Sequence, residues 1–422
     1  MATEFSQTMS RRSILRLLGI GSAAALAAAC SPSAPASPTA KPAEPAKPAA
    51  AASPSAAGSP SAAASPAAKP AASPAASAAS GISKADWDQL VAGAKSEGAL
   101  SLATYAGTGY RVVVEAFEKA YPGIKVEHSQ FQSSSRDYLP RLLQEQKAGL
   151  YTWDVAIMTT QEMLRQAVPI GAAVPIRPLL VLPEVLDDSV WIDGFEGGFT
   201  DNGKQWQYSI GRDIESQIWI NTDQVKEGEI SKLDDLLDPK WRGKMVGGDP
   251  RSKGSGFTPT TMMRVVTGND DIVKKLWVDQ EVVVGTDARQ LTEFMVRGRY
   301  PVGVGAVDRR ILADFQAQGL GLNIKVNPIP EIEYTNAGSN NLWIVAKAPH
   351  PKAAQVFANW VLTKEGSSVY APNASINSRR LDVPAVDEAV RPVKGVKYLR
   401  SDDESLLEPG IKTQELAKAL LN

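Results

Sequence analysis

The sequence predicts an α/β protein of two domains, each a mainly parallel sheet flanked by helices. Three observations predict it. Strand-like and helix-like stretches alternate from Leu100 to Gln166, and the alternation resumes from Val282 to Leu362. About 340 residues follow Gly81, a length that ordinarily divides into two domains. Repeated βα units of this size place strands side by side and parallel, with helices on both faces.

The chain opens with Ser10-Arg11-Arg12-Ser13-Ile14-Leu15-Arg16 and an apolar run from Leu17 to Ala29. A basic start followed by a short apolar core reads as an export signal over residues 1–29. The run is too short for a membrane-spanning helix, which needs about 20 apolar residues. The arginine pair resembles the twin-arginine export motif, and an ordinary basic leader is the alternative. Leu26-Ala27-Ala28-Ala29-Cys30 resembles a lipobox, which would make Cys30 the lipid-modified first residue. Ala27 stands where a large aliphatic is usual, so simple cleavage after Ala29 stays open. Residues 30–80 are almost wholly Ala, Pro and Ser after Cys30. With no aromatic or large aliphatic side chain they cannot bury a core, and a disordered tether is expected.

The first domain is expected to begin at 81. Trp87, Leu90, Val91 and Ala94 recur at helical spacing. Leu100–Thr104, Ile124–His128 and Trp153–Met158 read as strands, each followed by a loop and a helix. Ligands bind such sheets outside the carboxyl ends of the strands, where these loops lie. Residues 168–203 are irregular. Trp206–Ile210 and Gln217–Ile220 are extended pieces around Gly211-Arg212-Asp213. A short helical segment, Leu233–Leu237, follows Ser231 as its expected cap. Asp238-Pro239-Lys240-Trp241-Arg242-Gly243-Lys244 then turns into a strand at Lys244–Val246.

In the second domain, Val282–Gly285 is a strand, and Thr286-Asp287 caps a helix to Arg297. Tyr300–Gly305 is a strand and Ala306–Gln318 a helix. Asn341–Ala346 is a strand and Pro351–Leu362 an amphipathic helix. A last helical stretch, Thr413–Leu421, is expected to dock on the first domain or stay mobile.

Charge and composition exclude several functions. The formal net charge is -1. Residues 1–29 and 30–80 each carry +2, which leaves -5 for the remainder. A mildly acidic body is not the basic footprint of a nucleic-acid binder. One cysteine permits no internal disulfide, and the two histidines, His128 and His350, cannot make a multi-histidine metal site. No G-x-S-x-G elbow, H-E-x-x-H or Cys-His pair is present.

The order from Trp219 to Phe257 is strand, Asn-Thr, short helix, D-P-K-W-R-G-K, strand and Gly/Ser loop. Together with Leu342–Ala354 and Leu362-Thr363-Lys364-Glu365-Gly366, it resembles bacterial extracellular solute-binding proteins of ABC importers. The branch it looks like includes ferric, thiamine, polyamine and phosphonate binders. The resemblance covers nearly all of Leu100–Arg380. It implies a two-lobed periplasmic-binding-protein-like fold of type II, joined by hinge strands. It implies lobe 1 over 81–211, lobe 2 over 212–332, and a return to lobe 1 with the tail over 333–422. It also implies a non-enzymatic monomer without a cofactor, serving a permease and touching the membrane only through a lipid anchor, on the periplasmic or extracellular face. An exported dinucleotide-dependent oxidoreductase and a surface sensory or adhesion lipoprotein remain alternatives at this stage.

Loop ends supply the candidate ligand residues: Tyr105, Thr108, Ser134 and Thr160 in the first lobe, Ser255, Asp308 and Arg309 in the second, and Asn336 near the hinge. The loop Asp249–Phe257 combines glycines, Ser255, Arg251 and Lys253 at a helix start, a pattern suited to an anion. A flexible loop with a solvated basic pair is the alternative. Gly303-Val304-Gly305 partly imitates a dinucleotide fingerprint, but Asp308 replaces its third glycine. In ferric binders of the resembled family, adjacent tyrosines ligate iron near this point. This chain has Ala306-Val307-Asp308-Arg309 there, so no metal is expected. Asp308 suits an organic cation or simply a helix start, and Arg309 suits an anion.

Overall fold

The computed structural model describes residues 81–107, 109–158 and 161–421. The expected export signal, the expected lipobox with Cys30 and the Ala/Pro/Ser stretch lie outside the described residues, as do Thr108 and Thr160. The same holds for the side chain of Ser134.

The strands run in chain order as β1 (Ala99–Tyr105), β2 (Lys125–Phe131), β3 (Val155–Met158), β4 (Ala173–Val174), β5 (Tyr208–Ser209), β6 (Asp213–Glu215) and β7 (Ile218–Asn221). They continue as β8 (Met245–Gly248), β9 (Val283–Gly285), β10 (Val302–Val304), β11 (Ile324–Val326), β12 (Tyr334–Asn336), β13 (Asn341–Val345) and β14 (Leu399–Arg400). One sheet has the order β2-β1-β3-β13-β4, with β5 also on β13, and a second has the order β11-β7-β10-β8-β9. A small third sheet, β14-β12-β6, holds the strands by which the chain passes between the two.

In the first sheet every strand points the same way except β13, and in the second every strand does except β7. The reason is topological. Strand β7 follows the crossing strand β6, and β13 follows the crossing strand β12. A chain entering a lobe from the cleft, where the parallel strands end, must run away from the cleft and therefore against them.

Period-two alternation sends the apolar side chains of each sheet to both faces. In β3, Val155 and Ile157 join one core cluster while Ala156 and Met158 join another. In β13, Leu342 and Ile344 face the first cluster, and Trp343 and Val345 face the second. In β7, Ile218 and Ile220 pack on one side and Trp219 on the other. Each sheet is thus the middle layer of three. The helix Pro351–Leu362 seals the first lobe, as its apolar face predicts. Its buried Asn359 accepts from Val181 N at 2.8 Å and donates to Leu179 O at 2.8 Å, pinning the irregular 168–203 segment to the core.

Three local expectations change. Residues 306–308 are not helical, and the helix is Arg309–Gln316. Gly305 adopts φ +59, so the chain must leave a left-handed turn before Asp308 can cap the new helix. The cap of Leu233–Leu237 falls on Lys232. Asp235 reaches back to accept from Ser231 N and Lys232 N at 2.8 and 3.0 Å, and Ser231 Oγ is only a further donor to it. The tail docks on neither of the expected places. Its helix, Leu407–Leu420, packs against Phe257–Thr267, and Ala417, Leu416 and Leu420 join the second-lobe core.

Candidate functional site

The segment 213–219 runs extended across the hinge. Extended backbone brings alternate residues to one face, so Asp213, Glu215, Gln217 and Trp219 share one side. Glu215, Gln217 and Trp219 line a cavity of about 440 Å³ at the carboxyl ends of β8, β9 and β10. Ser255 lines it after β8, Ala288 after β9, and Gly305 to Arg310 after β10. From the first lobe comes Ser375, the left-handed residue that ends the helix Lys364–Ala374. A second cavity of about 300 Å³ shares Glu215, Arg309 and Ser375 and adds Asp213, Asn377 and Asp387. The two are parts of one cleft. Both volumes together suit a small ligand.

Glycine shapes the second-lobe wall. A Cβ on Gly305 would sit 1.9 Å from Ser255 O, and one on Gly256 would sit 1.9 Å from Gly248 O. The loop before Phe257 therefore lies directly against the end of β10. This packing accounts for Gly305, the second glycine of the G-x-G pattern. Of the basic pair of that loop, Arg251 is engaged elsewhere. Arg251 is held by Asp249 at 3.0 Å and donates to Leu421 O at 2.5 Å, so it fastens the tail. Arg251 is not among the residues lining the cleft.

The polar groups of the cleft have distinct surroundings. Glu215 Oε2 accepts from Gln217 Nε2 at 2.9 Å. Burial pushes the Glu215 carboxyl above its ordinary value, and nearby Arg309 opposes the rise. Burial also raises Asp213, against hydrogen bonds from Asn377 N and Nδ2 at 3.0 and 2.8 Å. The guanidinium of Arg309 lies over the Trp219 ring, 5.4 Å from its centroid. Asp308 Oδ1 accepts from Arg310 N and Ile311 N at 2.9 and 3.1 Å, the ordinary work of an N-cap.

Of the eight expected ligand residues, the fold brings Ser255, Asp308 and Arg309 into one cavity. Tyr105 ends β1 and is 38% exposed, but it does not line this cleft. Asn336 lies in β12 opposite Asp213, and its Oδ1 accepts from Gly338 N at 2.8 Å to shape the following turn. Sequence reading missed Asp213, Glu215, Gln217 and Trp219, although their alternate spacing was a usable signal. Nothing local marked Ser375, Asn377 or Asp387, which reach the cleft only through the return of the chain.

A family model described as bacterial extracellular solute-binding protein matches residues 102–367. The chain is similar to the solved ferric iron-binding protein A of Mannheimia haemolytica in an open conformation, at 13% identity and TM-score 0.59, over 76% of this chain and 98% of that one. It is similar to a Bordetella ferric binding protein at 16% identity and TM-score 0.58, over 76% and 98%. Iron-bound HitA of Pseudomonas aeruginosa matches at 16% identity and TM-score 0.54, over 77% and 99%. At these identities the likeness is one of fold. No curated protein sequence matches.

Proposed function

The chain belongs to the bacterial extracellular solute-binding protein family, and we propose that it captures one small polar or charged solute between its two lobes for uptake through an ABC importer. One observation carries the reading. Polar groups from both lobes and from a crossing segment surround a single open cleft: Ser255 and Arg309 from one, Ser375 and Asn377 from the other, Asp213 and Glu215 between. A solute that touches both lobes favours the closed state because its contacts are complete only there. A permease that reads the closed form then receives loaded protein.

Ser255, Asp308 and Arg309 are the candidate ligand residues kept from the sequence, with Glu215 added from the geometry. Tyr105, Thr108, Ser134 and Thr160 remain first-lobe candidates for contact with the solute on closure, with Asn336 near the hinge. Export proceeds through the leader, and Cys30 tethers the protein to the membrane as its only membrane contact. Cys30→Ala should move the protein from the membrane fraction to the soluble fraction, and unchanged fractionation would count against the anchor.

Capture is tested by thermal unfolding of the full chain with sugars, amines, carboxylates, phosphonates and dipolar solutes. A solute at a hundred times its dissociation constant adds about 2.7 kcal/mol. A raised midpoint with one class supports capture. Unchanged midpoints with every class count against it.

A further inference from the structure

The chain crosses between the lobes a third time. After the first lobe is complete, the tail passes through β14, which pairs with β12, and ends as the helix Leu407–Leu420 on the second-lobe core. On the way it builds part of the cleft. Val386, Asp387 and Val390 line the cavity of about 300 Å³. Glu215, Arg309 and Ser375 line both cavities, so they form the neck where one opens into the other.

Beyond the neck the wall has four branched aliphatic residues, Ile214, Ile376, Val386 and Val390, and three polar ones, Asp213, Asn377 and Asp387. The polar three are engaged with one another and with backbone. Asn377 donates from N and Nδ2 to Asp213 Oδ1 at 3.0 and 2.8 Å, and its Oδ1 accepts from Val386 N and Asp387 N at 2.8 and 3.1 Å. Asp387 Oδ1 accepts from Ala389 N at 2.9 Å. These bonds hold the tail beside β6. A charged guest would have to compete with them, whereas an apolar guest gains by covering the aliphatic side chains.

On the capture reading above, we propose that the chamber beyond the neck takes a short alkyl end of the solute, whose polar head stays at Ser255 and Arg309. Val386 and Val390 of the tail are then specificity-determining residues.

The test uses three series on the full chain: acetate to hexanoate, methylamine to pentylamine, and methylphosphonate to pentylphosphonate. Dissociation constants come from calorimetry, with the unfolding midpoint as a second readout. At least one series should tighten about fourfold per added methylene until the chamber is full, the usual worth of a buried methylene. Val386→Ser should shrink that increment, and Val386 is 42% exposed, so the change spares the fold. Val390→Trp fills the chamber and should leave the long probes no tighter than the short ones.

Affinity that does not rise with chain length in any series overturns the assignment. So does an increment that neither variant changes, because the alkyl chain then lies elsewhere. 1,5-Diaminopentane binding tighter than pentylamine also overturns it, since the chamber would then take a charge. Each of these results leaves capture standing if a solute of the wider panel raises the midpoint. If no solute of either panel does, capture and the alkyl chamber fall together.

Discussion

Strands β7 and β13 occupy the same topological place in their two sheets, yet the segments that lead into them differ. Each follows a crossing strand, and each is the one reversed strand of its sheet. Ahead of β13, Tyr334, Thr335 and Asn340 are buried. Tyr334 is 3% exposed, and Asn340 Oδ1 accepts from Tyr370 Oη at 2.7 Å. The residues ahead of β7 turn carboxylates toward an open cleft. One crossing is thus buried, and the other lines the proposed cleft. The crossing topology requires a reversed strand at each entry, and it leaves the chemistry of the crossing free.

Mutations can break or sharpen that contrast. The largest effect should come from β13 itself. Trp343 is 2% exposed between β3 and β4, so Trp343→Ala should cost about 3–5 kcal/mol in denaturant unfolding, the usual loss for a large buried aromatic. Next is Tyr370→Phe, which leaves the buried Asn340 Oδ1 without its donor. It should cost about 1–3 kcal/mol and leave solute affinity unchanged. A selective loss of affinity instead would erase the distinction between the two crossings.

A smaller loss is expected at the cleft wall. Asp308→Ala removes an N-cap and should lower stability by about 1 kcal/mol, with local exchange of Arg310 and Ile311 amides as the specific readout. Glu215→Gln should give the smallest change, of opposite sign. Folding raises the Glu215 carboxyl above its unfolded value, so the native state binds the proton more tightly. The destabilising cost of ionisation is therefore absent below the unfolded value and full above the folded one. The substitution should raise the midpoint of the solute-free protein at pH 8, and the gain should vanish near pH 4. A loss of stability at pH 8 would mean that Glu215 is a structural group like Asn340.

Much of this fold is legible in the sequence because burial on both faces leaves long apolar strands at regular intervals. The helix Pro351–Leu362 falls where its apolar face and leading proline put it. Asp287 caps the helix Ala288–Val296 as its position before an apolar run suggests. The start of Arg309–Gln316 was misplaced by three residues, because the left-handed turn at Gly305 depends on contact with Ser255, a long-range fact. The tail was misplaced for a similar reason. Arg251 and the second-lobe core attract it, and neither is near it in sequence. The cleft was half legible. Loop ends pointed to Ser255 and Arg309, but the acidic face needed the alternation 213, 215, 217, 219 to be read as a wall rather than as a strand.

The most direct test of solute capture is the distance between the lobes. Spin labels at Lys119→Cys on the first lobe and Gln318→Cys on the second, in a Cys30→Ser background, report it by double electron–electron resonance. The solute that raises the unfolding midpoint most should shorten and narrow the distance distribution, and Arg309→Met should abolish the change. An unchanged distance with a solute that stabilises the protein would place binding outside the cleft and contradict the account.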